Sequence, residues 1–362
     1  MPVFITSALG LQNVYGASNY NAVNAAVCAL VAASPGGVLR VLDDPVNMQD
    51  GAAATARDAN SLRAALQSCC AAVGPPDGIV IIGDQRVIPS FTVANPVTDR
   101  SIDPDPVVAT DNPYGFMLPV SPPACLVPPI PVGRIVAGID ATANDFCAML
   151  ALQSLLRRQR PLRSGYVEIA SWQWQDASRI VLSRPGTERV FISPDSVLNS
   201  SNAANLDCQF LYCNLHGFVD QPAWMGYDPA LGFPVTAITP DAFQSQYVSG
   251  TIAFTEACYG LLTDGKKTSG SCALSLLASG AAAVVGSTGL AFGTATLASQ
   301  HLIDADALAQ AFFTVAIQPG ATVGSCLRAA REALSQSVSV DPYVAKTLLE
   351  FQLLGDPTYV IS

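Results

Sequence analysis

Two short segments carry the side chains best suited to nucleophilic chemistry. Leu211-Tyr-Cys-Asn-Leu-His216-Gly217 ends an apolar run on a histidine followed by glycine, and Thr251-Ile-Ala-Phe-Thr-Glu-Ala-Cys258 ends another on a cysteine. A thiol becomes a strong nucleophile when a neighbouring base takes its proton, and imidazole is the side chain that exchanges protons near neutrality. His216 and Cys258 are therefore the candidate catalytic pair, with the cysteine as nucleophile and the histidine as general base and acid. The backbone N–H groups of Gly217 and Cys258 are candidate oxyanion donors, and Gly217 leaves room for a substrate backbone. Glu256 lies two residues before the cysteine, on the same strand face, where it can shape a substrate pocket. Each residue also has a plainer reading: a satisfied core histidine, one buried thiol among ten, a glutamate paired with a nearby cation. On pattern alone the plainer readings prevail.

Rival chemistries have less behind them. A zinc site on Cys208, Cys213 and His216 fails because the odd spacings within one strand turn the side chains to opposite faces. The chain has neither a G-x-S-x-G elbow nor a G-x-x-x-x-G-K-[ST] loop. A nucleotide site over Gly286–Gly293 would rest on little more than a pair of glycines. The expectation is no metal and no cofactor.

Strands and helices must place these residues, and the sequence supplies them in alternation. Pro2–Ala8, Gly37–Asp43 and Ile79-Val-Ile-Ile82 read as strands, with helices over Asn19–Ala32 and Ala52–Val73. Short all-apolar strands between helices imply a parallel sheet covered on both faces. Residues 84–129, rich in proline and aspartate, read as a long surface excursion, a kind of loop that tends to be functional. Pro131–Val136 returns to the sheet, and Asp140 or Thr142 can cap a helix running to about Arg158. Strands follow at Tyr166–Ser171, Glu188–Ile192, Cys208–Leu215, Thr251–Ala257 and Ala281–Gly286, with a helix over Gln175–Leu182, another at about 269–279, and a polar loop over 218–250. Helices over Ala305–Ile317, Thr322–Ser335 and from Tyr343 precede a closing strand at Tyr359–Ile361. The picture is two α/β lobes, residues 1–162 and 163–362.

Composition bounds the setting. Half of the 362 residues are apolar and 13% are charged, which describes a densely packed globular chain. A formal charge of −10 argues against nucleic acid or an anionic membrane as partner. The uncharged run Thr268–Ile303 is long enough to cross a bilayer, but Gly280, Gly286, Gly289 and Gly293 divide it into core-sized pieces. The ten cysteines are scattered through apolar segments, and the first basic residue is Arg40, so no secretory signal opens the sequence. Reduced thiols and a cytoplasmic protein are the expectation.

The ordered segments resemble those of gingipain-type, caspase-like cysteine peptidases of clan CD. His216-Gly217 and Ala257-Cys258 resemble the histidine and cysteine boxes. Ile79-Val-Ile-Ile-Gly-Asp84 with Ile88-Pro89, Thr110-Asp-Asn-Pro-Tyr-Gly115, Pro129-Ile-Pro-Val-Gly-Arg134, Ala283-Val-Val-Gly-Ser-Thr288 and Leu354-Gly-Asp-Pro-Thr358 resemble further family segments in the same order. The resemblance implies an α/β fold of two Rossmann-like sub-domains with mainly parallel sheets, and an endopeptidase working through a thiol acyl-enzyme on peptide or protein substrates. It implies a P1 wall in the loop Ser287, Thr288, Gly289 to Phe292, and a P1-selecting carboxylate at Asp140, which is otherwise a plain helix cap. Where some members carry a histidine-orienting acid this chain has Pro128 and Pro129, leaving Asp111 or Asp84 as substitutes. The secretion signal, pro-domain and Ig-like domain of secreted members find no counterpart, which points to an intracellular protease held in check by a regulatory partner, an ion or a small signal. The alternative is an inactive caspase-like scaffold that binds a protein partner through loops 84–129 and 218–250.

Overall fold

Strands that are apolar at every position must be buried on both faces, and they assemble here into one ten-stranded sheet. The computed structural model describes residues 1–48, 51–161, 163–182, 187–294, 301–336 and 341–361. The residue 162 expected to close the first lobe, and residues 295–300 of the uncharged run, lie outside them. Strands β1 (Pro2–Thr6), β2 (Val38–Val41) and β3 (Gly78–Ile82) come first. A hairpin of β4 (Phe91–Ala94) and β5 (Val107–Thr110) precedes β6 (Val132–Ile135). Then follow β7 (Tyr166–Ser171), β8 (Thr187–Ser193) and β9 (Phe210–Asn214). A second hairpin, β10 (Trp224–Asp228) and β11 (Phe233–Ile238), leads to β12 (Ile252–Thr255), β13 (Ala283–Ser287) and β14 (Phe351–Gly355).

The sheet order is β2-β1-β3-β6-β14-β13-β12-β9-β7-β8. Strands from residues 1–162 form one flank, paired in parallel, and β13-β12-β9-β7-β8 form a second parallel flank. Between them β14 runs antiparallel to β13 and meets β6 at a single registered pair, Leu354 with Arg134.

Alternation along β9 and β12 sorts their side chains. Leu211, Cys213 and Ala253 pack to one face with the helix Cys272–Ala278. Phe210, Tyr212, Ile252 and Phe254 pack to the other against the helices Asp304–Ala316 and Val323–Ser335. Among the described residues no helix is long and apolar enough to cross a membrane.

Four expectations are corrected. The 84–129 excursion is not structureless: β4 and β5 pair within it, burying Val93 and Val108 against Leu349. The 218–250 loop holds the β10–β11 hairpin. The closing sheet strand is β14, not Tyr359–Ile361, because Phe351-Gln-Leu-Leu follows directly on a helix and is buried throughout, while Val360 makes only an isolated bridge to Thr322. The helix expected from Ala52 begins at Ala59, where Asp58 accepts from the Ser61 N–H as N-cap.

Candidate active site

Register decides which side chains meet. Strands β9 and β12 are parallel neighbours with Cys213 opposite Thr255, so their carboxyl ends share an edge of the sheet. The pairing continues past the strands, with the Glu256 N–H donating to the Cys213 carbonyl at 2.9 Å. His216 leaves the sheet two residues after β9 and is caught by β10, exchanging backbone hydrogen bonds with Met225 at 2.7 and 2.8 Å. Next to it, a Cβ on Gly217 would run into the Cys258 carbonyl oxygen, so only glycine allows the two strand ends this approach. The histidine and cysteine boxes therefore touch through their backbones.

The turn after the thiol is tight. Tyr259 has φ 55°, and its N–H donates to the Gly289 carbonyl at 2.7 Å, while the Leu261 N–H donates to that of Ser287 at 2.7 Å. These bonds bring the loop after β13 against Cys258, whose sulfur accepts from the Ala291 N–H at 3.3 Å. Burial pushes the Cys258 thiol up to about 11, with the Ala291 N–H pulling the other way, and burial lowers His216 from its ordinary value. Both shifts favour the neutral thiol and the neutral imidazole over the ion pair. In this resting arrangement the sulfur bonds to the Ala291 peptide, and the ring Nε2 lies 2.9 Å from the Gln173 amide nitrogen. The Trp174 ring packs on the imidazole with centroids 4.3 Å apart.

Beside Cys258 opens a cavity of about 170 Å³, lined by Trp174, Asn214, Glu256, Phe292 and Asp306 among others. Its floor is acidic. Glu256 accepts from the Tyr212 hydroxyl at 2.6 Å, and Asp306 accepts from the Asn214 amide at 3.1 Å and the Thr294 N–H at 2.6 Å. Burial raises both carboxyls, Glu256 well above its ordinary range, and a hydrogen bond joins them. Two carboxyls this close disfavour ionising together, and the Thr294 and Asn214 donors favour the carboxylate form of Asp306.

The other candidates divide between the cavity and its surroundings. Phe292 lines the cavity, whereas Ser287, Thr288 and Gly289 hold the loop: the Ser287 hydroxyl and Gly289 bond to each other, and the Thr288 hydroxyl donates to the Ala109 carbonyl at 2.8 Å. Asp140 accepts from the Thr268 N–H at 2.9 Å and borders a different cavity, of about 370 Å³. The helix cap beside it is Thr142. Asp111 is taken by Nη2 and Nε of buried Arg134, at 2.7 and 2.8 Å, and Asp84 by Arg86. The group at His216 is Gln173. Sequence reasoning missed Gln173, Trp174 and Asp306. The first two sit in a Trp-Gln-Trp turn with no spacing signal, and the third passes for an ordinary acid in a helix's first turn. Among the described residues no cluster of His, Cys, Asp or Glu is arranged to hold a metal.

A histidine and a cysteine brought to one edge of a largely parallel, helix-flanked sheet belong to the cysteine peptidases with a caspase-like fold. The model of peptidase family C25, the gingipain family of clan CD, matches residues 46–362. The chain belongs to that family and is a cysteine endopeptidase. Its fold is similar to that of the Arg-specific cysteine proteinase gingipain R (RgpB), with TM-score 0.65 over 99% of this chain and 78% of the other at 12% identity. The complex of Porphyromonas gingivalis RgpB pro- and mature domains gives TM-score 0.65 over 100% and 80% at 12% identity. A further protease structure gives 0.64 over 99% and 78% at 14% identity. At such identities the likeness is one of fold. No curated protein matches the chain in sequence.

Proposed function

We propose that this endopeptidase cleaves peptide bonds through a thioester on Cys258 and selects a basic side chain at P1. The observation that carries the proposal is the seating of Gly217 on the Cys258 backbone, which brings the His216 segment against the cysteine, while Cys258 itself lines an acidic cavity. When a peptide carbonyl arrives, His216 takes the thiol proton as sulfur bonds to the carbonyl carbon. The oxyanion lies against the N–H groups of Gly217 and Cys258. His216 then passes the proton to the departing amine as the C–N bond breaks. Water attacks the thioester, His216 accepts its proton, the C–S bond breaks and the sulfur regains a proton.

The P1 side chain enters the cavity toward Glu256 and Asp306, with Trp174 and Phe292 as walls. Among the described residues neither carboxyl forms a salt bridge with a lysine or arginine, so a substrate cation finds an acid to pair with. RgpB is an Arg-specific proteinase, which agrees with this choice. A fluorogenic peptide library scanned at P1 should show cleavage after arginine or lysine at least roughly tenfold faster than after other residues, vanishing in Cys258→Ala. Cleavage after acidic or apolar residues would contradict the pocket assignment. Unchanged turnover in Cys258→Ala would contradict the nucleophile. A cytoplasmic, reducing setting and a regulatory protein partner complete the reading. The ten free cysteines support the former, and recovery of the protein outside the cytoplasm on fractionation would remove it.

A further inference from the structure

Among the described residues His216 has no carboxylate partner: Asp111 is held by Arg134 and Asp84 by Arg86. What reaches the ring is a neutral amide, and the sheet explains how. Strand β7 is the parallel neighbour of β9, with Ala170 opposite Asn214. Carrying on past both strand ends sets the turn Trp172–Trp174 alongside His216. From that turn the Gln173 amide nitrogen lies 2.9 Å from Nε2, with the amide oxygen brought to the same place by a half-turn of the side-chain amide, and Trp174 covers the ring face at 4.3 Å, tilted by 52°. Phe218 stacks at 6.3 Å, and the Met225 backbone fixes the main chain. These neighbours carry no charge, and the titratable groups near them are Cys258, reached across Gly217, and Lys266, which donates to the Val219 carbonyl beside Phe218.

We propose that Gln173 is the positioning residue of His216, gripping the ring at Nε2 so that Nδ1 is the nitrogen that exchanges the proton. The inference rests on the catalytic role proposed above for His216. An amide offers a donor or an acceptor at the same place by turning half a turn about its last bond. If Nδ1 is to accept the thiol proton, its lone pair must be free, so Nε2 carries the hydrogen and donates it to the Gln173 oxygen. The same bond persists when the ring becomes imidazolium, with Nδ1–H then facing the leaving amine. The grip fixes tautomer and orientation without the rise in basicity that a carboxylate would bring. It is a neutral substitute for the acid missing at Pro128 and Pro129.

The chain has two histidines, and His301 is exposed, so 15N-histidine labelling gives two readily separated ring signals, assigned with His301→Gln. The wild-type His216 ring should titrate as the Nε2–H tautomer. Gln173→Ala should mix the tautomers and lower kcat by roughly ten- to a hundredfold, with KM changed less than about threefold. Gln173→Glu should restore the tautomer, recover part of kcat, and move the acidic limb of the pH profile and the His216 titration to higher pH. The proposal is overturned if neutral His216 is Nδ1–H in the wild type, if Gln173→Ala leaves the ring signals unchanged, or if Gln173→Glu leaves the titration where it was. The ring signals are read whether or not the protein hydrolyses peptides. A correct tautomer in an inactive protein would count against the peptidase mechanism and not against Gln173.

Discussion

At the scale of single residues, the site is tuned toward neutrality. Burial holds the thiol up at about 11 and His216 below its ordinary value, so a preformed thiolate–imidazolium pair is disfavoured and proton transfer accompanies attack. The rate of covalent modification of Cys258 by a peptidyl ketone should therefore climb through the alkaline range. A plateau reached by about pH 6 would instead show a thiolate already present at rest. His216, Gly217 and Cys258 are legible in sequence as strand-end residues, and the family order of the neighbouring segments is what distinguishes them from packing residues. Glu256 was legible as a charge at the end of an apolar strand. Its partner Asp306 was not, because nothing local records that the helix Asp304–Ala316 packs on the Tyr212 face.

At the scale of elements, the proline-rich excursion explains how a loop far along the chain is held against the thiol. Asp105 accepts from the Tyr259 hydroxyl at 3.0 Å and from the Leu290 N–H at 3.1 Å, clamping the turn after Cys258 to the loop after β13. Lys346, fully buried, pairs with Asp103 at 3.2 Å and with Glu350, and donates to the Leu290 carbonyl. Asp105→Ala leaves two donors without their acceptor. It should cost about 1–3 kcal/mol in thermal unfolding and lower kcat/KM by roughly tenfold, while Asp105→Asn keeps part of both. Activity unchanged in the alanine variant would show that the clamp does not set the site. Periodicity revealed the parallel strands because each is short, apolar and bounded by turns. It missed β4, β5, β10 and β11, whose alternation is brief; β4 and β5 in addition are buried by contacts far along the chain, as Val93 and Val108 with Leu349 show.

At the scale of the whole molecule, acids buried in the fold tie its stability to pH. Glu168, 1% exposed in the middle of β7, has one carboxyl oxygen without a hydrogen-bond partner, and burial pushes it from 4.5 up to about 7. Glu350 also rises to about 7 and Asp304 to about 6. A folded pKa above the unfolded one means the native state holds the proton more tightly. The contribution is complete below about pH 4.5 and is lost as pH rises through about 7. Thermal stability should therefore fall between pH 5 and pH 8. Glu168→Gln should raise it at pH 8 by on the order of 1–3 kcal/mol and change it little at pH 5. An equal effect at both values would count against this account.

The central claim, a thioester-forming Cys258 served by His216 and fed by an acidic pocket, meets its most direct test in covalent labelling. A peptidyl acyloxymethyl ketone with arginine at P1 is incubated with wild type, Cys258→Ala and His216→Ala, and the adducts are mapped by peptide mass spectrometry. The account predicts one adduct on Cys258 in the wild type, none in Cys258→Ala, and labelling slowed by about a hundredfold or more in His216→Ala. Labelling that persists in Cys258→Ala, or wild-type labelling that falls on another of the ten cysteines, would contradict it.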